Sequence, residues 1–196
     1  MTENKSNSIM KPFGVEFDLI EGIMKEPDNH LVRRASNMRG YYSDDRALEE
    51  LISQGDPLHY EVFEKKIPEQ YGHLQFCISS TQPGRIGGEY FMTKGHYHSI
   101  AETAEIYLCL RGQGYMLMKT STGEGAYEKF VPGRMVYVPP YWAHRSVNTG
   151  NEPLISLCVY PGDAGHNYGD IKIEGFPMRV VNQNGRVVFQ ESQRHG

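Results

Sequence analysis

The stretch TKGHYHSIAETAEIYLCL, residues 93–110, sets two imidazoles two positions apart and then, seven residues on, a carboxylate at the head of an alternating run. On a strand, alternate side chains share a face, so His96 and His98 can converge on one ion. In the run that follows, Glu105, Tyr107 and Cys109 share one face and Ile106, Leu108 and Leu110 the other. A carboxylate and a phenol at the start of an otherwise apolar strand point the first face into a cavity. The counterpart is GRMVYVPPYWAHRSVN, residues 133–148. It reads as a turn, a strand, a proline-stiffened bend and a returning strand that carries His144 back across a barrel. Three neutral imidazoles and one carboxylate suit a borderline divalent metal such as iron, manganese, cobalt, nickel or zinc, whereas calcium and magnesium want more oxygen. The expected ligands are His96, His98, Glu105 and His144, holding one ion per chain. An H-x-H pair alone is weak evidence, because histidines often sit half-buried and satisfied by hydrogen bonds. Two half-motifs in order carry the weight that one lacks.

Working outward, short aromatic and β-branched runs alternate with turn residues from Pro57 onward. The runs include His59 to Phe63, Leu74 to Ile78, Ile106 to Leu110, Tyr115 to Met118, Met135 to Val138 and Leu154 to Tyr160. Pro83-Gly84, Gly123-Glu124-Gly125, Pro132-Gly133 and Asn148-Thr149-Gly150 punctuate them, as an antiparallel sandwich or barrel requires. One good helix is expected from Ser43, a candidate N-cap, through Asp44, Asp45, Leu48, Leu51 and Ile52 to Gly55 and Pro57, which stop it. Residues 1–11 read as a flexible tail, 12–190 as a single domain whose N-terminal arm starts with a strand-like stretch at Phe13 to Asp18, and 191–196 as a C-terminal tail.

The 196 residues suit one domain with an arm, and 20 basic against 24 acidic side chains, with no long run of either sign, leave no electrostatic footprint for nucleic acid or an anionic membrane. Small solutes are the expected partners. Cys77, Cys109 and Cys158 are an odd number, far apart and in apolar contexts, which favours reduced core thiols. No apolar stretch is long enough to span a membrane and the N-terminus lacks a secretory pattern, so a cytoplasmic location is expected.

The two half-motifs resemble those of the cupin superfamily. His96, His98, Glu105 and Gly112 meet its first motif, and Gly133, Pro139, His144 and Asn148 its second. Tyr141 stands where the second motif has an inner glycine, and Tyr90 where a glycine precedes the first histidine. Four stretches are more closely similar to the cupin-type phosphoglucose isomerases of archaea and some bacteria: residues 33–38 (RRASNM), 93–98 (TKGHYH), 138–145 (VPPYWAHR) and 160–169 (YPGDAGHNYG). The resemblance implies an all-β fold, a double-stranded β-helix (cupin) barrel with an N-terminal strand arm and one short helix. It also implies interconversion of glucose 6-phosphate and fructose 6-phosphate, a glycolytic and gluconeogenic step, with Fe2+ as the first choice of ion (Mn2+, Ni2+, Co2+ and Zn2+ being open) and a homodimer.

By the same resemblance Ser79, Thr93 and Gly95 meet the phosphate, Tyr60, Tyr107, Tyr160 and Tyr168 line the sugar, and Glu105, Tyr160 and His166 are the candidates for moving the proton. Direct coordination would lower the basicity of Glu105, which leaves the base open, as is the choice between an enediol route and a hydride shift. Lys94 or Arg85 can add charge at the phosphate. Arg33 and Arg34 read most simply as a solvated or subunit-facing basic pair, Cys109 as an apolar filler and Trp142 as packing. Two other readings stand beside the isomerase: an oxygen-dependent cupin dioxygenase, which the same ligands would serve, and a sugar-phosphate-binding cupin without turnover.

Overall fold

The computed structural model describes residues 10–192; residues 1–9 and 193–196, most of the two expected tails, lie outside the described residues. In chain order the elements begin with β1 (Phe17–Asp18), β2 (Ile23–Met24), β3 (Asn29–Arg34), a 3-10 turn (Ala35–Met38), α1 (Asp45–Ser53), β4 (Leu58–Glu64) and β5 (Leu74–Thr81). Then come β6 (Arg85–Ile86), β7 (Glu89–Tyr90), β8 (Glu105–Arg111), β9 (Gly114–Thr120), β10 (Gly125–Phe130) and β11 (Met135–Val138). The chain closes with β12 (Trp142–Asn148), β13 (Leu154–Pro161), α2 (Gly169–Glu174), β14 (Met178–Gln183) and β15 (Arg186–Glu191). Every strand pair is antiparallel. Among the described residues no helix is long and apolar enough to cross a membrane.

One wall of the barrel is a six-stranded sheet in the order β11-β8-β13-β5-β4-β3, and the other is built on β10-β9-β12. The second wall continues through residues 91–97, which lie against β12 by the single bridges Met92–Val147 and His96–His144. The smaller sheet β15-β14-β7-β6 packs, with α2, on the outside of this wall. Strand parity then fixes what the barrel contains. Register pairs Tyr60 with Thr81, Val62 with Ser79 and Glu64 with Cys77, then Ser79 with Ser156 and Cys77 with Cys158, then Cys158 with Tyr107. Paired residues on antiparallel strands share a face, so these side chains and Glu105 form one continuous inner surface. The expected split of β8 is observed: Glu105, Tyr107 and Cys109 are buried, while Ile106 is exposed.

The cupin barrel and its arm are present as expected from the resemblance, with three local differences. Residues 93–98 form no continuous strand; they are extended and touch their neighbours only at isolated bridges, because the glycine at 95 takes φ +76° and breaks the ladder. The helix is capped by Asp44, not Ser43: the Asp44 carboxylate accepts from the Ala47 amide at 2.9 Å, while Ser43 bonds Glu89. Arg33 is not a solvated surface residue. It pairs with Tyr60, whose side chain is inside the barrel, and its Nε is buried. Tyr141 keeps φ +70° although it replaces the glycine of the motif, so the turn survives the loss of the residue that makes it easy.

Candidate metal centre and active site

Both walls meet at the four expected ligands. Glu105 opens β8 on the six-stranded wall, His144 sits in β12 on the opposite one, and His96 and His98 come from the bridged segment between them. Their candidate ligand atoms all lie within 4.8 Å of one another. Glu105 Oε2 is 2.8 Å from His144 Nε2, 3.1 Å from His98 Nε2 and 3.9 Å from His96 Nε2. Close as they are, the Nε2 atoms of His96 and His144 are buried without a hydrogen-bond partner. Buried polar atoms are rarely left so, and a shared cation satisfies both lone pairs at once. The residues fit a metal ion.

The supports of the ligands agree with this. His98 Nδ1 meets Thr103 Oγ1 at 2.7 Å and the Thr103 carbonyl at 3.2 Å, and His144 Nδ1 faces the Trp142 carbonyl at 3.4 Å, contacts that turn each Nε2 toward the cluster. Burial first, then the neighbouring His144 and His166, holds His96 well below the usual imidazole range, which keeps its ring neutral. Burial alone would raise the Glu105 carboxyl, but His144 foremost, with His98 and His96, more than offsets it and holds Glu105 below the ordinary carboxylate range. A carboxylate beside the neutral His96 ring is a charge state that suits a divalent ion. Gly95 makes the approach possible: a Cβ there would lie 2.9 Å from the His144 carbonyl oxygen.

The other expected residues fall into two groups around this cluster. The His166 ring lies 4.5 Å from that of His96, 5.3 Å from that of Tyr160 and 5.9 Å from that of Tyr168, measured between ring centres. Tyr107 is 5.4 Å from His144. Tyr160 and His166 line a cavity of about 530 Å³, together with Glu64 and Gln75. Burial pushes the phenols of Tyr160, Tyr168 and Tyr107 up, so they stay protonated donors, and pushes the His166 imidazole down, so it stays neutral. On the far side, Tyr60 lies beside Arg33 and the Lys94 backbone, and Ser79 points into the barrel from β5. The Thr93 hydroxyl accepts from the Ser146 amide at 3.1 Å, leaving its own proton to donate. The Lys94 amide faces the Tyr60 phenol, and the Gly95 amide finds no partner among the described residues.

Two inner residues escaped the sequence reading. Arg33 was placed outside because its parity depends on which strand it pairs with, and Glu64, which receives a 2.6 Å bond from Asn29, carries no motif. Arg85 lies in β6 of the outer sheet.

A model of the glucose-6-phosphate isomerase family matches residues 32–195. The glucose-6-phosphate isomerase of Thermococcus litoralis is 46% identical over 184 residues, 94% of this chain and 96% of that protein. That of Thermococcus gammatolerans is 47% identical over the same length, again 94% of this chain and 96% of the relative. Among solved structures, the oxalate decarboxylase of Lactobacillus farciminis in its formate complex overlays with a TM-score of 0.43 and 22% identity, over 55% of this chain and 30% of that one. With a family model covering most of its length and relatives matched nearly end to end, the chain belongs to the glucose-6-phosphate isomerase family, in its cupin-type branch.

Proposed function

We propose that this protein interconverts glucose 6-phosphate and fructose 6-phosphate with one divalent ion held by His96, His98, Glu105 and His144. The observation that carries the reading is a buried three-histidine, one-glutamate cluster with two unpartnered Nε2 atoms, facing the Tyr160, His166 and Tyr168 side chains. When bound, the ion supplies positive charge against the negative charge that develops on the C1 and C2 oxygens of the sugar. Fe2+ is the first choice, and Mn2+, Ni2+, Co2+ and Zn2+ fit the same ligands.

The chain's own residues divide the remaining work. Neutral His166 can take and return a proton over one face of the sugar, while the protonated Tyr160 and Tyr168 donate to its hydroxyls. Glu105 is bound up with the imidazoles and is the weaker base. At the other end, Ser79, Thr93 and the free amide of Gly95 meet the phosphate, with Tyr60 and the Lys94 backbone beside them. Arg33, near Tyr60, adds the positive charge that a phosphate dianion needs, and Lys94 supports it. The protein works as a homodimer in the cytoplasm.

The test is a coupled assay of fructose 6-phosphate turnover under anaerobic conditions, on metal-stripped and reconstituted protein. Stripping and His144→Ala should each abolish turnover, and added Fe2+, Mn2+, Ni2+ or Co2+ should restore only the stripped wild type. Full turnover by the stripped protein would overturn the reading. Activity that needs oxygen would favour a dioxygenase, and sugar-phosphate binding with no turnover a sensor.

A further inference from the structure

Three cysteines lie on the inner surface of the barrel, and two of them are directly opposed. Register pairs Cys77 on β5 with Cys158 on β13. Both are buried and free, and the Cys158 sulfur meets the Ser156 hydroxyl at 3.7 Å. They sit in the packed core next to the cavity that Tyr160 and Glu64 line: Glu64 pairs with Cys77, and Tyr160 follows Cys158 by two residues on the same face. On the other side, Cys158 pairs with Tyr107, which neighbours Glu105. Cys109 is not part of the pair. It sits opposite Ser156 and gives its proton to the Arg111 carbonyl at 3.5 Å.

We propose that Cys77 and Cys158 form a bidentate thiol site for a thiophilic ion of the trivalent-arsenic class, in the wall of the chamber that holds the metal ligands. Two sulfurs on adjacent strands are a soft ligand pair, chemically distinct from the three nitrogens and one carboxylate beside them. With trivalent arsenic the exchange moves no electrons. Hydrated phenylarsine oxide, PhAs(OH)2, gives up its two hydroxyl groups, each thiol gives its proton to one of them, two As–S bonds form, and two waters leave. Cys77 and Cys158 pack against Tyr107 and Tyr160, so the arsenical displaces these rings and blocks turnover; that effect alone rests on the isomerase reading.

The test treats the metal-loaded protein with phenylarsine oxide and counts adducts by intact mass. One adduct per chain is expected for the wild type and Cys109→Ser, and none for Cys77→Ala, Cys158→Ala or the conservative Cys77→Ser. 2,3-Dimercaptopropanol should release the adduct and excess 2-mercaptoethanol should not, because chelation by two sulfurs outcompetes one. Turnover should fall in proportion to the adduct while bound metal stays constant. An adduct that survives Cys77→Ala or Cys158→Ala, or one that forms only on unfolded wild type, would overturn the proposal. The correct adduct pattern on a wild type that lacks isomerase activity would overturn the functional reading and leave the thiol site standing.

Discussion

Tyr141 holds a left-handed backbone at φ +70° with its side chain 59% exposed, so little packing repays the conformation. A non-glycine residue there costs about 1–2 kcal/mol, and a glycine returns about 0.5–1 kcal/mol of that through the entropy of the unfolded chain. Tyr141→Gly should therefore stabilise the protein by about 0.5–1 kcal/mol, read as a Tm higher by roughly 1–4 °C; a lower Tm would refute the strain. His59 carries a pH dependence. It is fully buried, packed at a tilt against Phe91 with ring centres 3.9 Å apart and bonded to Tyr42 at 2.8 Å, and burial pushes its imidazole down to about 3. The unfolded chain takes up this proton at about pH 6.5 and the folded chain does not. Its contribution is thus present above about 6.5 and is lost as pH falls toward about 3, at up to ~1.4 kcal/mol per pH unit. Denaturant melts from pH 7 to 4 should show the wild type losing stability relative to His59→Gln over that window, and parallel curves would refute the assignment. The clustering of His96, His98, Glu105 and His144 was legible in the sequence because histidine spacing and strand parity are local properties. Arg33 and His59 were not, since what surrounds each is set by distant strands.

Helix α1 has one strong terminus. Asp44 accepts the Ala47 amide, and the first turn adds Asp45. Asp44→Ala should cost about 1 kcal/mol by thermal melt and leave turnover unchanged, whereas Ser43→Ala should leave the helix cap intact. The sequence named both residues and chose the wrong one, because either can cap and only the backbone decides. Alternation made β8 and β11 plain, and the long runs revealed β4, β5 and β13. The hairpin β14–β15 was overlooked although its signal is present: Asn184-Gly185 is a two-residue loop between paired Gln183 and Arg186, with φ of 54° and 80°. The opposite error befell residues 93–98, where the alternating histidines suggested a strand. A glycine with positive φ leaves an extended segment held at intervals.

At the scale of the whole molecule, the outer face of the six-stranded wall remains apolar. Phe13, Phe17, Leu74, Phe76 and Leu157 surround a groove of about 310 Å³, with Phe13 48% and Leu74 61% exposed. Apolar area of this kind marks contact surfaces. Sedimentation velocity should show a dimer at micromolar concentration, and Leu74→Asp should shift it toward monomer; a wild-type monomer would refute the homodimer. The barrel itself was legible from turn spacing, but the layering of the β14-β15 sheet over the second wall was not, since packing between sheets has no period in the sequence. The candidate ligands come from both walls, Glu105 from one and His144 from the other. An ion seated there would rivet the two sheets together across the lumen, so a substitution that weakened its hold would also lower the temperature at which the walls part.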